Sequence, residues 1–216
     1  MDVPPISLSF IADFTNAQGT ARAALVRTQY RQHMQQEDRF WAFYYRELFD
    51  AVEAVVARQG DLQPLREAVR VAPEKKQRSY AAAAEGLAAL LTKLRPAAIT
   101  RASTALWTDV TTGVQVRVRP HFVTTSSKGD HEAWFLNCKE DAFAPSAANV
   151  VLYLMQAHGP EEARAADPRL LNVRAAQSLR LRANVNREQI EQSLAAEAQT
   201  YRALWLANSN GDGLQD

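Results

Sequence analysis

Cysteine is almost missing from this sequence: Cys138 is the only one in 216 residues. That excludes an internal disulfide and any cysteine cluster able to hold zinc or iron and sulfur. Glycine is sparse, with eight residues scattered at turns, and no glycine-rich phosphate loop occurs, so neither a P-loop nor a dinucleotide-binding Rossmann site is expected. His33, His121, His131 and His158 show no HExxH-type spacing and belong to no Ser-His-Asp set. Charge of one sign is also lacking. Lys+Arg 25 against Asp+Glu 24 leaves +1, so no global field draws the chain to nucleic acid or an anionic membrane, and any polyanion site must be a local patch. No apolar run approaches the roughly 18 residues of a membrane span. The start, MDVPPISLSF, has Asp2 and two prolines but no basic segment before an apolar run, and does not read as a secretory signal. The expectation is a soluble, cytoplasmic protein with no membrane partner and no resident cofactor.

What is present belongs to an ordinary globular chain, 47% hydrophobic and 23% charged. The reading is an α+β protein in one compact unit: a helical region over 1–95, a sheet-containing core over 96–207 and a flexible tail over 208–216. Three or four helices are expected before Leu94. Ser7 caps the first, Gly19 and Thr20 mark a break and a fresh start, and Gly60 and Pro96 stop two others. Phe40, Tyr44, Leu48, Val52 and Val55 recur at helical spacing and predict a central core helix. Phe40, Trp41, Phe43, Tyr44 and Tyr45 crowd its start; such a cluster fills a core or offers a stacking platform for bases. A further helix starts at Pro73.

From Ala98 to Asp141 the texture changes to threonine, valine and aromatics in period-two alternation. A strand over 105–111, turning at TTG, precedes two more in a three-stranded meander. Val114, Val116, Val118 and Phe122 are expected on one face, with Gln115, Arg117, Arg119 and His121 on the other. SSKGD supplies the hairpin turn, with Gly129 at positive φ. A two-residue loop at Lys128 and Gly129 sets His121 against Leu136, Arg117 against Glu140, Arg119 against Cys138 and Val123 beside Trp134. One more loop residue would set His121 against Asn137. Ser146 then caps an apolar helix ending near Gly159, EEARAADPR connects, and LLNVRAAQSLRLRA is a fourth strand bent at Ala175 and Ala176. Asn186 caps a last helix.

The order helix, three strands, helix, strand, helix over about Pro73 to Ala207 resembles the αβββαβ core of the PD-(D/E)XK nuclease superfamily. Its members carry an acidic residue on the second strand and a (D/E)-x-K triplet on the third, where carboxylates bind Mg²⁺ and the lysine orients water. Pro120 and His121 stand in place of the acidic motif here, and Asn137, Cys138 and Lys139 in place of the triplet. Both carboxylates are missing. The resemblance therefore implies a nuclease-like relic without a metal, acting as an interaction module in a nucleic-acid-handling or defence-type assembly.

Two other readings stay open. A divergent nuclease using Mg²⁺ or Mn²⁺ would draw on Lys139, Glu132, Asp109 and Glu85. A structural homodimer or partner-binding protein would use the aromatic N-terminal helices. For binding, Arg117, Arg119, His121 and Trp134 form a sheet face suited to a phosphate backbone, or a solvated strand face. Lys75, Lys76 and Arg78, with Arg27 and Arg31, would make a polyanion patch if their helices lie side by side. Cys138, mid-strand among apolar neighbours, reads as a small buried hydrophobe.

Overall fold

Pro120 interrupts the run of alternating residues from Val114 to Thr125: it has no N–H to give to a ladder and so marks a natural break between strands. The computed structural model, which describes residues 3–35 and 44–211, breaks that run into β4 (Gln115–Val118) and β5 (Phe122–Thr125) and sends them to different sheets. β4 lies between β1 (Ile6–Ser7), which is parallel to it, and β3 (Ala105–Thr108), which is antiparallel. β5 joins a second, mixed sheet in the order β2 (Ala98–Arg101), β5, β6 (His131–Asn137), β7 (Asp167–Asn172) and β8 (Gln177–Arg180). The expected meander is thus two hairpins in two sheets. Val116 and Val118 enter one core cluster and Phe122 the other, so they do not share a face.

Around the sheets stand α1 (Leu8–Asn16), α2 (Gly19–Met34), α3 (Arg46–Ala57), α4 (Gln63–Val71), α5 (Glu74–Leu94), α6 (Pro145–His158), the short α7 (Glu161–Arg164) and α8 (Arg187–Gly211). The class is α+β, as the composition of the segments suggested. Among the described residues five helices precede β2, where three or four were expected. Ser7 does cap α1, its Oγ accepting from Phe10 N at 3.2 Å, and Asn186 caps α8 through Gln189 N at 3.1 Å. Ala144, not Ser146, holds the cap position of α6, because Pro145 fits the first helical turn without an N–H. Phe40, Trp41 and Phe43 lie outside the described residues; Tyr45 stacks on Tyr80, Tyr44 meets it edge-on, and both pack against the sheet core.

The central strands β6 and β7 of the five-stranded sheet are buried on both faces, which is why β6 reads as a nearly unbroken apolar run. Ala133, Phe135 and Leu170 pack with α1, α6 and α8 in one cluster. Trp134, Leu136, Leu171 and Val173 pack with α3, α4 and α5 in the other. The helices of 1–95 are therefore divided: α1 docks on α6 and α2 on α8, whereas α3 to α5 form a layer of their own. Gly86 lets α5 settle on the turn after β7, since a Cβ there would stand 1.7 Å from the Val173 carbonyl oxygen. No helix among the described residues is long and apolar enough to cross a membrane.

The β5–β6 hairpin has neither expected register. Phe122 pairs with Trp134 and Thr125 with His131. The loop has three residues, Ser127 to Gly129, closed by Ser126 N donating to Asp130 O at 2.8 Å, with Gly129 at φ 88. Arg117 consequently faces Leu106, not Glu140, and Arg119 does not face Cys138. Val123 pairs with Ala133. The bend expected at Ala175 and Ala176 is a full reversal: Ala176, at φ 47, ends a turn between β7 and antiparallel β8.

Candidate functional site

Parallel strands present their carboxyl ends to whatever the connecting loops can build there, and in open α/β sheets this is where ligands sit. In the five-stranded sheet β6 and β7 are the parallel pair, joined through α6, and both end on asparagine. Asn137 and Asn172 are register partners, each almost fully buried. Asn137 Nδ2 donates to Asn172 Oδ1 at 3.1 Å and to Asp141 O at 2.9 Å. Asn137 Oδ1 accepts from Lys139 N at 3.2 Å. Asn172 Oδ1 also accepts from Phe143 N at 3.0 Å, and its Nδ2 donates to Gln177 Oε1 at 3.0 Å. The two amides thus fold the loop from Lys139 to Phe143 over the strand ends.

A second layer caps this one from the α3–α5 side. Arg174 Nε donates to Cys138 O at 3.1 Å and its NH2 to Ser79 Oγ at 2.6 Å. Tyr45 OH bonds both the same carbonyl, at 3.1 Å, and Ser79 Oγ, at 2.8 Å. Lys76 is buried: Nζ donates to Tyr44 O at 3.2 Å and lies 4.7 Å from the centre of the Tyr44 ring. Tyr80 donates to Glu47, and burial followed by that bond pushes its hydroxyl pKa upward. Burial alone would raise the Glu47 carboxyl, but the Tyr80 bond, its own backbone and the Lys76 charge carry it below the usual range.

His121 sits at the edge of this end. Its Nδ1 accepts from Leu136 N at 3.0 Å, which places the proton of the neutral ring on Nε2. Phe49 and Phe135 flank it at 4.7 and 4.9 Å. Burial, with the charges of Arg119 and Arg101, pushes its pKa down to about 3. Cys138 is buried and its thiol is pushed up to about 12 by that burial, against the pull of Arg174, so it carries no thiolate at neutral pH. Lys139 pairs with Asp13 of α1.

The remaining sequence candidates are dispersed. Glu132 lies at the other end of β6, five residues before Asn137 and about 17 Å away along the strand. There it accepts from buried Arg169, from Arg180 at 2.9 Å and from the Trp134 indole at 3.0 Å. Asp109 belongs to the β3–β4 turn, where its Oδ2 accepts from Thr112 N at 2.7 Å and Thr112 Oγ1 at 2.6 Å. Glu85 lines an apolar groove between α4 and α5 with Leu65, Val69 and Ala88. Glu85, Asp109, Glu132 and Lys139 are therefore on four separate parts of the fold.

The binding candidates are dispersed too. Trp134 is buried in the core, not on a surface. Arg117 NH2 donates to Pro5 O at 2.7 Å beside β1, and Arg119 is exposed past the end of β4. Lys75 and Arg78 are exposed on the first turns of α5, but Arg27 and Arg31 ride on α2, which docks on α8, so the two sets form no common patch.

Asn172, Arg174, Ser79 and Gln177 escaped the sequence reading. One signal was present: the runs AWFLN and RLLN both end in Leu-Asn, and two buried strands stopping on the same amide suggest amides that meet. Among the described residues no three His, Cys, Asp or Glu side chains form a group able to hold a metal ion. No family model, curated protein or solved structure matches the chain.

Proposed function

We propose that this chain is a non-enzymatic interaction module whose core keeps a nuclease-like order of elements without a metal site, serving a nucleic-acid-handling or defence-type assembly. The order α5, β2, β5, β6, α6, β7 supports the kinship, with β3 and β4 as an insertion between the first two strands. The carrying observation is the end of β6 and β7, where two neutral amides spend their hydrogen bonds on each other, on the backbone and on Gln177.

Those residues do not fit Mg²⁺, which prefers charged oxygen ligands in octahedral array. His121 offers a nitrogen already engaged by Leu136 N, and Lys139, which would orient water, is paired with Asp13. Single-turnover incubation with labelled DNA and RNA, in Mg²⁺ or Mn²⁺, is expected to show no cleavage. Cleavage that disappears in Lys139→Ala would overturn the proposal.

A further inference from the structure

The sheet edges differ in how they are closed. At the β2 edge, Arg101 is tied to Asp50 and Glu53 of α3, which packs on that strand. β8 is the other edge and, among the described residues, no further strand pairs with it. Its backbone polarity follows from the ladder. Val173 N donates to Asn137 O on β6, so by alternation Arg169, Leu171 and Val173 turn their backbone groups to β6, and Leu170 and Asn172 turn theirs to β8. Leu170 pairs with Leu179 and Asn172 with Gln177. Ser178 and Arg180 therefore aim their N–H and C=O groups outward, and among the described residues neither makes a backbone bond to another element.

The side chains beside that edge are basic. Leu179 and Leu181 turn inward to the core, which leaves Arg180 on the opposite face, with exposed Arg182 just past the end of the strand. Glu132 is already met by buried Arg169 and the Trp134 indole, so Arg180, whose side chain is 61% exposed, adds a charge in excess. Arg182 is exposed and makes no ion pair or side-chain hydrogen bond among the described residues. With Arg169, Arg180 and Arg182 set against Glu132 and Asp167, the row stays positive.

We infer that β8 is a docking edge for an extended acidic segment of a protein partner, added to the five-stranded sheet as a sixth strand with carboxylates against Arg180 and Arg182. Main-chain bonds would supply affinity and alternate side chains specificity. A second copy of the chain is disfavoured there, since antiparallel self-pairing of β8 puts the arginines of both copies on the same face of adjoining strands. A nucleic acid offers no alternating amide and carbonyl row for Ser178 and Arg180. The inference rests on reading the chain as an interaction module and names its partner chemistry.

The test is amide hydrogen exchange on the full chain at low ionic strength, with a pool of short N-acetylated peptides alternating Glu or Asp with Val, Ile or Thr. The expected result is roughly ten-fold or greater slowing at Ser178 and Arg180, with binding weakened by salt and roughly ten-fold by Arg182→Glu. Peptides that bind without protecting those two amides, or that do not bind, overturn it, as does single-stranded DNA protecting them instead. The two proposals fail separately. Metal-dependent cleavage removes the metal-free module and leaves the edge standing. Unprotected Ser178 and Arg180 in a chain that does not cleave remove the edge alone.

Discussion

Asn137 and Asn172 close the carboxyl end of the sheet by donating and accepting between themselves across adjacent parallel strands, at 3.1 Å and out of contact with water. A buried amide pair of this kind is stabilising only while every member is satisfied. Replacing Asn172 by alanine strands Phe143 N and one of the two Asn137 Nδ2 hydrogens, the other keeping its bond to Asp141 O, while exposed Gln177 turns to water. The expected loss is about 2–4 kcal/mol, read as a lower urea midpoint with unchanged slope. A loss below about 0.5 kcal/mol would mean that water replaces the amide and that this end of the sheet is open.

Gly86→Ala should also destabilise, by more than about 2 kcal/mol. On an exposed helix the same change would stabilise by up to about 1 kcal/mol. The sign of the effect in thermal unfolding therefore reports whether α5 touches the Val173 carbonyl.

His121 gives the chain an acid limb. Its folded pKa, about 3, is depressed below the ordinary value of 6.5, so its neutral state contributes fully above pH 6.5. As pH falls from there towards 3 the unfolded chain takes the proton first, and stability drops by at most about 1.4 kcal/mol per pH unit. His121→Gln should flatten that limb in urea titrations. An imidazole signal titrating near its ordinary value would remove the prediction.

Arg169 and Glu132 are expected to behave as a coupled pair. Glu132→Gln leaves a buried guanidinium with one fewer anion and should cost about 3 kcal/mol, as should Arg169→Met. The double replacement should cost less than the sum. Additive losses in the cycle would show that the two side chains act independently.

Lys139→Ala removes a half-exposed ion pair with Asp13 and should shift stability by no more than about 1 kcal/mol. A larger loss would give Lys139 a structural weight that its exposure does not explain.

The sequence by itself determined the class and many of the boundaries. Ser7 and Asn186 are caps because a side-chain oxygen can serve free N–H groups, and α5 stops before Pro96 because proline excludes the helical conformation behind it. The change from alanine-rich to threonine- and valine-rich texture at residue 98 announced the sheet, and Gly129 its turn. These are local effects, legible within a few residues. What only the tertiary structure decided was partnership. A hairpin one residue out of register moves every side chain to the other face, and the loop of three residues was not distinguishable in composition from a loop of two. Pro120 marked a break, but not that the strands on either side of it belong to different sheets. Above all, Asn137 and Asn172 are 35 residues apart in sequence, and they meet because α6 returns the chain parallel to β6. That pairing takes its energy from a buried, satisfied polar contact, which no residue carries alone.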